Sequence, residues 1–336
     1  MTGHGKRVLV VIPCLNEAAH LPALLDQLLA SDTATTIVVA DGGSSDASRA
    51  IVQGKARHHP RLLLLDNPGR LQSVGINRAV RMHGPTHDWL VRIDAHCAYP
   101  EHYVERLIAA TRATGATSVV VPMVSHGRGG FQIAAAAAQN SRLGTGGSLH
   151  RHVGSGGFVD HGHHALMSIA AFIRAGGYDE SMATNEDAEL DHRIGLGGGR
   201  IWLEPSLALT YYPRATPRAL WRQYWRYGRG RAQTVRRHAM RLKVRQLIPL
   251  AVPVAVGAAA LAPLWWPFLL PLAVWALACL CGGVAVGLRA RSGAAMLSGV
   301  AAMIMHLGWG CGFLAERLQG WSARTAARPA TRRTAP

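Results

Sequence analysis

Acidic residues are scarce in this chain, and past Glu204 they almost vanish: only Glu316 follows. The 19 Asp and Glu face 36 Lys and Arg, a formal net charge of +17 over 336 residues. Charged side chains of both signs make up only 16% against 49% hydrophobic ones, a balance unusual for a wholly soluble enzyme that points to a locally apolar segment. Cysteine is equally sparse. Cys14, Cys97, Cys279, Cys281 and Cys311 show no zinc or thioredoxin spacing, so they are expected as reduced thiols in apolar settings, and a disulfide scaffold is excluded. No secretory signal is expected either, because the apolar run after Lys6-Arg7 is short and lacks a small-residue cleavage site. Between residues 247 and 288 charge is missing altogether.

What is present begins with VLVVI at 8–12, continuous and β-branched like a buried parallel strand, ended by Pro13. Leu21, Leu24, Leu25, Leu28 and Leu29 then follow the spacing of an amphipathic helix. Strands are expected at 36–40, 62–66 and 89–93, and a helix carries Val104, Leu107 and Ile108. Strands alternating with helices predict a doubly wound α/β domain with ligands at the carboxyl ends of its strands. FQIAAAAAQN at 131–140 predicts a helix, the glycine-rich run at 144–157 a loop, and ALMSIAAFIRAGGYDE a helix and turn.

From Arg214 to Arg245 there are eleven Lys and Arg and no acid. Trp221, Trp225, Ala232, Val235, Ala239 and Leu242 lie on one stripe, the pattern of a helix in the headgroup plane of an anionic membrane. Gly228 and Gly230 are expected to break it into two pieces. The charge-free run is long enough for two membrane crossings, with Trp265 and Trp266 at the far interface and Arg289 and Arg291 returning to the basic side. Ala294 to Leu314 could cross once more, although it holds His306 and four glycines. The expected organisation is therefore a catalytic domain over 1–220, an interfacial segment over 221–246, two to three spans over 247–318, and a disordered basic tail over 319–336. Such a protein would be a multi-pass cell-membrane protein with a cytoplasmic catalytic domain. Nucleic-acid binding, the usual alternative for a basic chain, fits the apolar run poorly. Nothing in the sequence sets an oligomeric state.

Three carboxylate clusters follow strands: Asn16-Glu17, Asp41 to Asp46, and Asp94-Ala95-His96. Each alone reads more readily as a helix cap than as a ligand. Taken in order, VVIPCLNE, VADGGSSD, VRIDAH, NEDAELDHRI and QYWRY resemble the motifs of family 2 glycosyltransferases, over roughly residues 8–231. The DGGSSD and DAH variants, with a short apolar C-terminal part, look like the succinoglycan glucosyltransferase subgroup.

The resemblance implies a GT-A fold, the Rossmann-like α/β domain of nucleotide-sugar transferases, followed by transmembrane helices. It implies donor contacts from Pro13, Asn16, Glu17, Asp41, Arg70 and Asp94. Asp94 and His96 stand where the family's DxD would hold a divalent cation; a histidine in the set tilts the choice toward Mn2+ over Mg2+ without excluding the latter. Asp187 matches the family's general base, beside Glu186. Gln223, Arg226 and Tyr227 match a QxxRW motif with tyrosine in place of tryptophan and would serve the acceptor or diphosphate. The expected reaction is inverting, metal-dependent transfer of a hexose, glucose from UDP-glucose, to a polyprenyl-diphosphate-linked glycan in exopolysaccharide or cell-envelope assembly. The alternatives are a processive polysaccharide synthase and a non-catalytic membrane scaffold. Asp160, His161, His163 and His164 also suggest a metal site, but hydroxyl contacts or loop packing suit them better.

Overall fold

The computed structural model describes residues 7–31, 35–147 and 154–326. Two compact units divide the chain, Met1–Ser125 with Ser148–Tyr211, and His126–Gly147 with Tyr212–Pro336.

In chain order the elements are β1 (Val8–Cys14), α1 (Leu21–Leu29), β2 (Thr35–Asp41), α2 (Ser48–Ala56), β3 (Leu62–Asp66), α3 (Gln72–His83), β4 (Trp89–Arg92), α4 (Tyr103–Thr114), β5 (Ser118–Val121) and β6 (Met123–Ser125). The second unit's α5 (Gly130–Gln139) and α6 (Arg142–Thr145) come next. The first unit resumes with β7 (Gly157–Val159), β8 (His163–Ser168), α7 (Ile169–Arg174), α8 (Glu186–Leu196), β9 (Ile201–Leu203) and β10 (Leu209–Tyr211). The second unit ends with α9 (Pro217–Arg237), α10 (Val244–Ala259), α11 (Leu270–Arg289), α12 (Gly293–Met296) and α13 (Ser298–Ala326).

The first unit is built on an eight-stranded sheet in the order β3-β2-β1-β4-β8-β5-β9-β7. β1 to β4 run parallel, and β8 enters antiparallel between β4 and β5. Alternation along β1 sends Val8, Val10 and Ile12 to one face, against Leu21, Leu25 and Leu107, and Leu9 and Val11 to the other, against Ile76 and Phe172. The register aligns Cys14 with Asp41 and Asp41 with Asp66, so the acidic loops leave the sheet at one edge. Pro13 does not end β1 as expected: the strand runs on to Cys14, because β4 pairs with β1 only as far as Val11 and no ladder donor is needed from Pro13.

ALMS, expected to be helical, is instead the core of β8, with α7 starting at Ile169. A short apolar run has the same pattern in a buried strand and a buried helix. Residues 148–153 of the glycine-rich run lie outside the described residues.

In the second unit, Gly228 and Gly230 do not break α9, which is one helix of 21 residues. Gly228 serves close packing: a Cβ there would lie 2.0 Å from the Trp309 carbonyl oxygen, and one on Gly312 of α13 2.1 Å from that of Trp225. α9 and α13 therefore touch backbone to backbone. α13 continues to Ala326, into the stretch expected as a tail; residues 327–336 lie outside the described residues.

Candidate active site

The loops after β1 and β2 are stitched together by hydrogen bonds. Asn16, in the left-handed region at φ 58°, accepts from the Ser45 backbone N–H at 2.8 Å and donates its own N–H to Ser44 Oγ at 2.9 Å. The Glu17 N–H donates to Ser48 Oγ at 2.8 Å. Asp41 is buried, and both its oxygens are engaged: Ser44 Oγ donates at 2.5 Å and Arg49 Nη1 at 2.8 Å. Burial opposes its charge, yet Ser44 and Arg49 hold its carboxyl below the usual range. Arg70, at φ 57°, lies against this loop: a Cβ on Gly43 would sit 3.8 Å from its Nη2. Pro13 sits half-buried at the end of β1.

The centre of the site is Arg92, the last residue of β4 and only 5% exposed. A guanidinium this deep needs counter-charges, and it has two. Its Nη1 donates to Asp187 Oδ1 at 2.6 Å, its Nε to Asp94 Oδ1 at 3.3 Å, and its Nη2 to Gln72 Oε1 at 2.7 Å. One cation thus ties the residue at the DxD position to the expected base.

Two histidines complete the cluster. Continuing the antiparallel register beyond Val91–Leu166 brings the start of β8 alongside the end of β4. The β5–β8 register shifts at Val119/Val120, and this irregularity lets neighbouring residues 163 and 164 both reach Asp187. His163 places Nε2 3.5 Å from Asp94 Oδ2 and Nδ1 3.9 Å from Asp187 Oδ2. His164, fully buried, has Nδ1 2.6 Å from Tyr178 Oη and 3.4 Å from Asp187 Oδ1. Its Nε2 lies 2.8 Å from Asp191 Oδ1, off the ring N–H axis, so the contact is a charge pairing rather than an aligned hydrogen bond.

Electrostatics follow from these distances. Burial disfavours the Asp187 carboxylate, but Arg92, His164 and His163 outweigh it and hold its pKa to about 2. Burial likewise opposes ionised Asp94, and Arg92 and His163 still keep it below the ordinary range. Glu186 goes the other way, raised by burial and by the adjacent Asp187 charge. Burial lowers His163, whereas the carboxylates of Asp191 and Asp187 overcome burial and raise His164. Asp187 sits in the first turn of α8, whose N-terminal dipole also favours its charge.

His96 is turned elsewhere. Its exposed ring has Nδ1 3.3 Å from Glu17 Oε1, and the other Glu17 oxygen takes His20 at 2.8 Å. Among the described residues no three His, Cys, Asp or Glu side chains converge as a metal-ligand set. Asp94, with the His163 imidazole 3.5 Å away, is a donor set that would fit a manganese-like cation only with ligands supplied from outside the protein. Gln223, Arg226 and Tyr227 lie on α9 of the second unit, where Gln223 Nε2 donates to Tyr227 Oη at 2.9 Å.

The structure thus brings together Asp94, Asp187 and Glu186, and separately Asn16, Glu17, Asp41 and His96. Sequence reasoning missed Arg92, Tyr178 and Asp191, and undervalued His163 and His164. One signal was available: an arginine inside the apolar strand WLVRI requires a buried acidic partner.

The family model for glycosyl transferase family 2 matches residues 9–175. The succinoglycan biosynthesis protein ExoA of Rhizobium meliloti (strain 1021) is 51% identical over 313 residues, covering 92% of this chain and 94% of that protein. Among solved structures, a mannosyltransferase from Pyrobaculum calidifontis, PcManGT, in complex with GDP-Man and Mn2+, superposes with a TM-score of 0.58 at 20% identity, covering 91% of this chain and 88% of that one. That likeness extends the GT-A fold to this chain.

Proposed function

Because the chain belongs to glycosyl transferase family 2, we propose that it is an inverting hexosyltransferase of succinoglycan-type exopolysaccharide assembly. It would take glucose from UDP-glucose and pass it to a polyprenyl-diphosphate-linked glycan at an anionic membrane. The relative named for succinoglycan biosynthesis supports the pathway class. The apolar second unit supports an acceptor carried by the membrane.

The observation that carries the mechanism is the asymmetry of the Asp187 carboxylate. Oδ1 is anchored by Arg92 at 2.6 Å, whereas the histidine facing Oδ2 is 3.9 Å away. Oδ2, the oxygen these side chains hold less tightly, is the one assigned to accept a proton. In the proposed reaction an acceptor hydroxyl gives its proton to Oδ2 while its oxygen attacks the sugar C1. The C1–O bond to the diphosphate breaks on the opposite side, its electron pair leaves with UDP, and the anomeric centre inverts.

A carboxylate held at about 2 is a weak base at rest. The donor's diphosphate, arriving beside Asp94, competes for Arg92, and loosening of the Arg92–Asp187 pair raises the basicity of Asp187 as the donor binds. Asp94, joined by His96 once its ring leaves Glu17, would hold Mn2+ or Mg2+, and the ion would supply charge neutralisation for the departing diphosphate. Asn16, Glu17, Asp41 and Arg70 would frame the nucleotide, with Asp41 ordering the loop from within.

The test is UDP release from a panel of UDP-sugars, with the full-length protein in native lipids and Mn2+ present. Turnover of UDP-glucose supports the reading. Turnover of another sugar alone removes glucose, and no nucleotide binding at all removes the enzyme.

A further inference from the structure

Of the three side chains that Arg92 holds by hydrogen bonds, only Gln72 is neutral. Local structure explains why it stands there. The chain leaves β3 and turns at Asn67, which is buried. The Arg70 N–H donates to the Asn67 carbonyl at 3.0 Å, and Asn67 Nδ2 donates to the Leu71 carbonyl at 2.9 Å. Gly75 comes so close that a Cβ on it would meet Asn67 Nδ2 at 2.9 Å and the Ala40 Cβ at 3.0 Å. The first turn of α3 is thus fixed against the end of β2, and Gln72 is the first residue of that turn.

The orientation of its amide follows from chemistry. A guanidinium only donates, so Gln72 must present its oxygen to Arg92, and Oε1 accepts from Nη2 at 2.7 Å. Nε2 then faces the other way. Gln72 is exposed, and among the described residues its Nε2 makes no hydrogen bond. Accepting from a cation polarises the amide and makes its outward N–H groups better donors.

Its place on the guanidinium rim says what they meet. Nη2 lies between Nε, which holds Asp94, and Nη1, which holds Asp187. In the proposed reaction the diphosphate comes to Asp94 and the acceptor hydroxyl to Asp187. The sugar ring is what joins those two points. A neutral donor between them suits a neutral acceptor, a sugar hydroxyl, whereas a phosphate oxygen is better matched by a cation.

We propose that Gln72 Nε2 donates a hydrogen bond to one hydroxyl of the sugar being transferred, so that Gln72 helps to select the donor. The proposal rests on the sugar-transfer reading and adds the side chain that reads the sugar. Arg92 aims the amide, and Gln72 makes the contact.

The test pairs a variant with altered donors, using the full-length protein in native lipids with Mn2+. kcat/KM is measured for wild type and Gln72→Met on the UDP-sugar that wild type turns over, and on the forms of that donor lacking one hydroxyl each. Loss of one particular hydroxyl should lower the wild-type value about three- to tenfold. The same loss should leave Gln72→Met unchanged, because the contact is already gone. Gln72→Glu keeps an acceptor for Arg92 but offers no outward N–H. It should also ignore that hydroxyl while melting no lower than wild type. If every hydroxyl matters equally to all three proteins, Gln72 merely holds Arg92 and the proposal falls. It falls too if Gln72→Met binds UDP itself correspondingly more weakly and responds to each hydroxyl as wild type does, which assigns the amide to the diphosphate. Absence of wild-type turnover with any UDP-sugar would remove the transfer reading itself, and this proposal with it.

Discussion

Arg92→Met is the most informative single change in the catalytic unit. The substitution removes the only cation within hydrogen-bonding reach of both Asp94 and Asp187 among the described residues and leaves two buried carboxylates facing each other. Breaking a buried ion pair from one side costs about 3–5 kcal/mol. Its pH dependence is diagnostic. In the wild type, Asp187 is held at about 2 against an ordinary 3.8, so its contribution is complete above pH 4 and lost as pH falls through that window. At 1.36 kcal/mol per pH unit the contribution is about 2 kcal/mol. Without Arg92, burial dominates and the Asp187 carboxyl rises above its ordinary value. The variant then loses stability as pH rises through that raised value, and its deficit shrinks on acidification from pH 7 toward 4. From pH 7 toward 4 the wild-type contribution of Asp187 should therefore stay level and fall only below pH 4, whereas the variant gains stability over the same pH 7 to 4 interval. Denaturant unfolding of the solubilised full-length protein reads this directly. A loss within about 0.5 kcal/mol, the range of an ordinary surface substitution, would refute the reasoning, as would parallel curves.

Other predictions follow the same contacts. Asp191→Asn removes the carboxylate that helps keep His164 charged. Wild-type stability held by the raised His164 is present below its ordinary pKa of 6.5 and fades as pH climbs through the raised value, so the variant should lack this alkaline slope in thermal melts. Gly228→Ala forces a methyl into the Trp309 carbonyl and should cost about 1–3 kcal/mol. Gly257→Ala, with nothing within 4 Å, should leave the melting temperature unchanged or slightly higher.

Much of the site was legible because it lies where local pattern and strand order coincide. β1, β2 and β4 lead to Asn16-Glu17, Asp41 and Asp94, and each motif sits within a few residues of its strand's end. The partners of Asp187 were hidden by distance along the chain. Arg92 precedes it by 95 residues, and His163 and His164 reach it only because β8 inserts antiparallel between β4 and β5, a pairing that no short window reveals. Gly228 illustrates a different limit: glycine reads as a helix breaker from composition, while close approach of another backbone can demand it.

The most direct test of the central claim compares Asp187→Asn with wild type for UDP release and for nucleotide-sugar binding in the same lipid preparation. The account predicts that binding persists while turnover falls by orders of magnitude, since the isosteric amide keeps the contacts of a side chain but cannot take the acceptor's proton. Turnover near the wild-type level would contradict it and assign the base elsewhere.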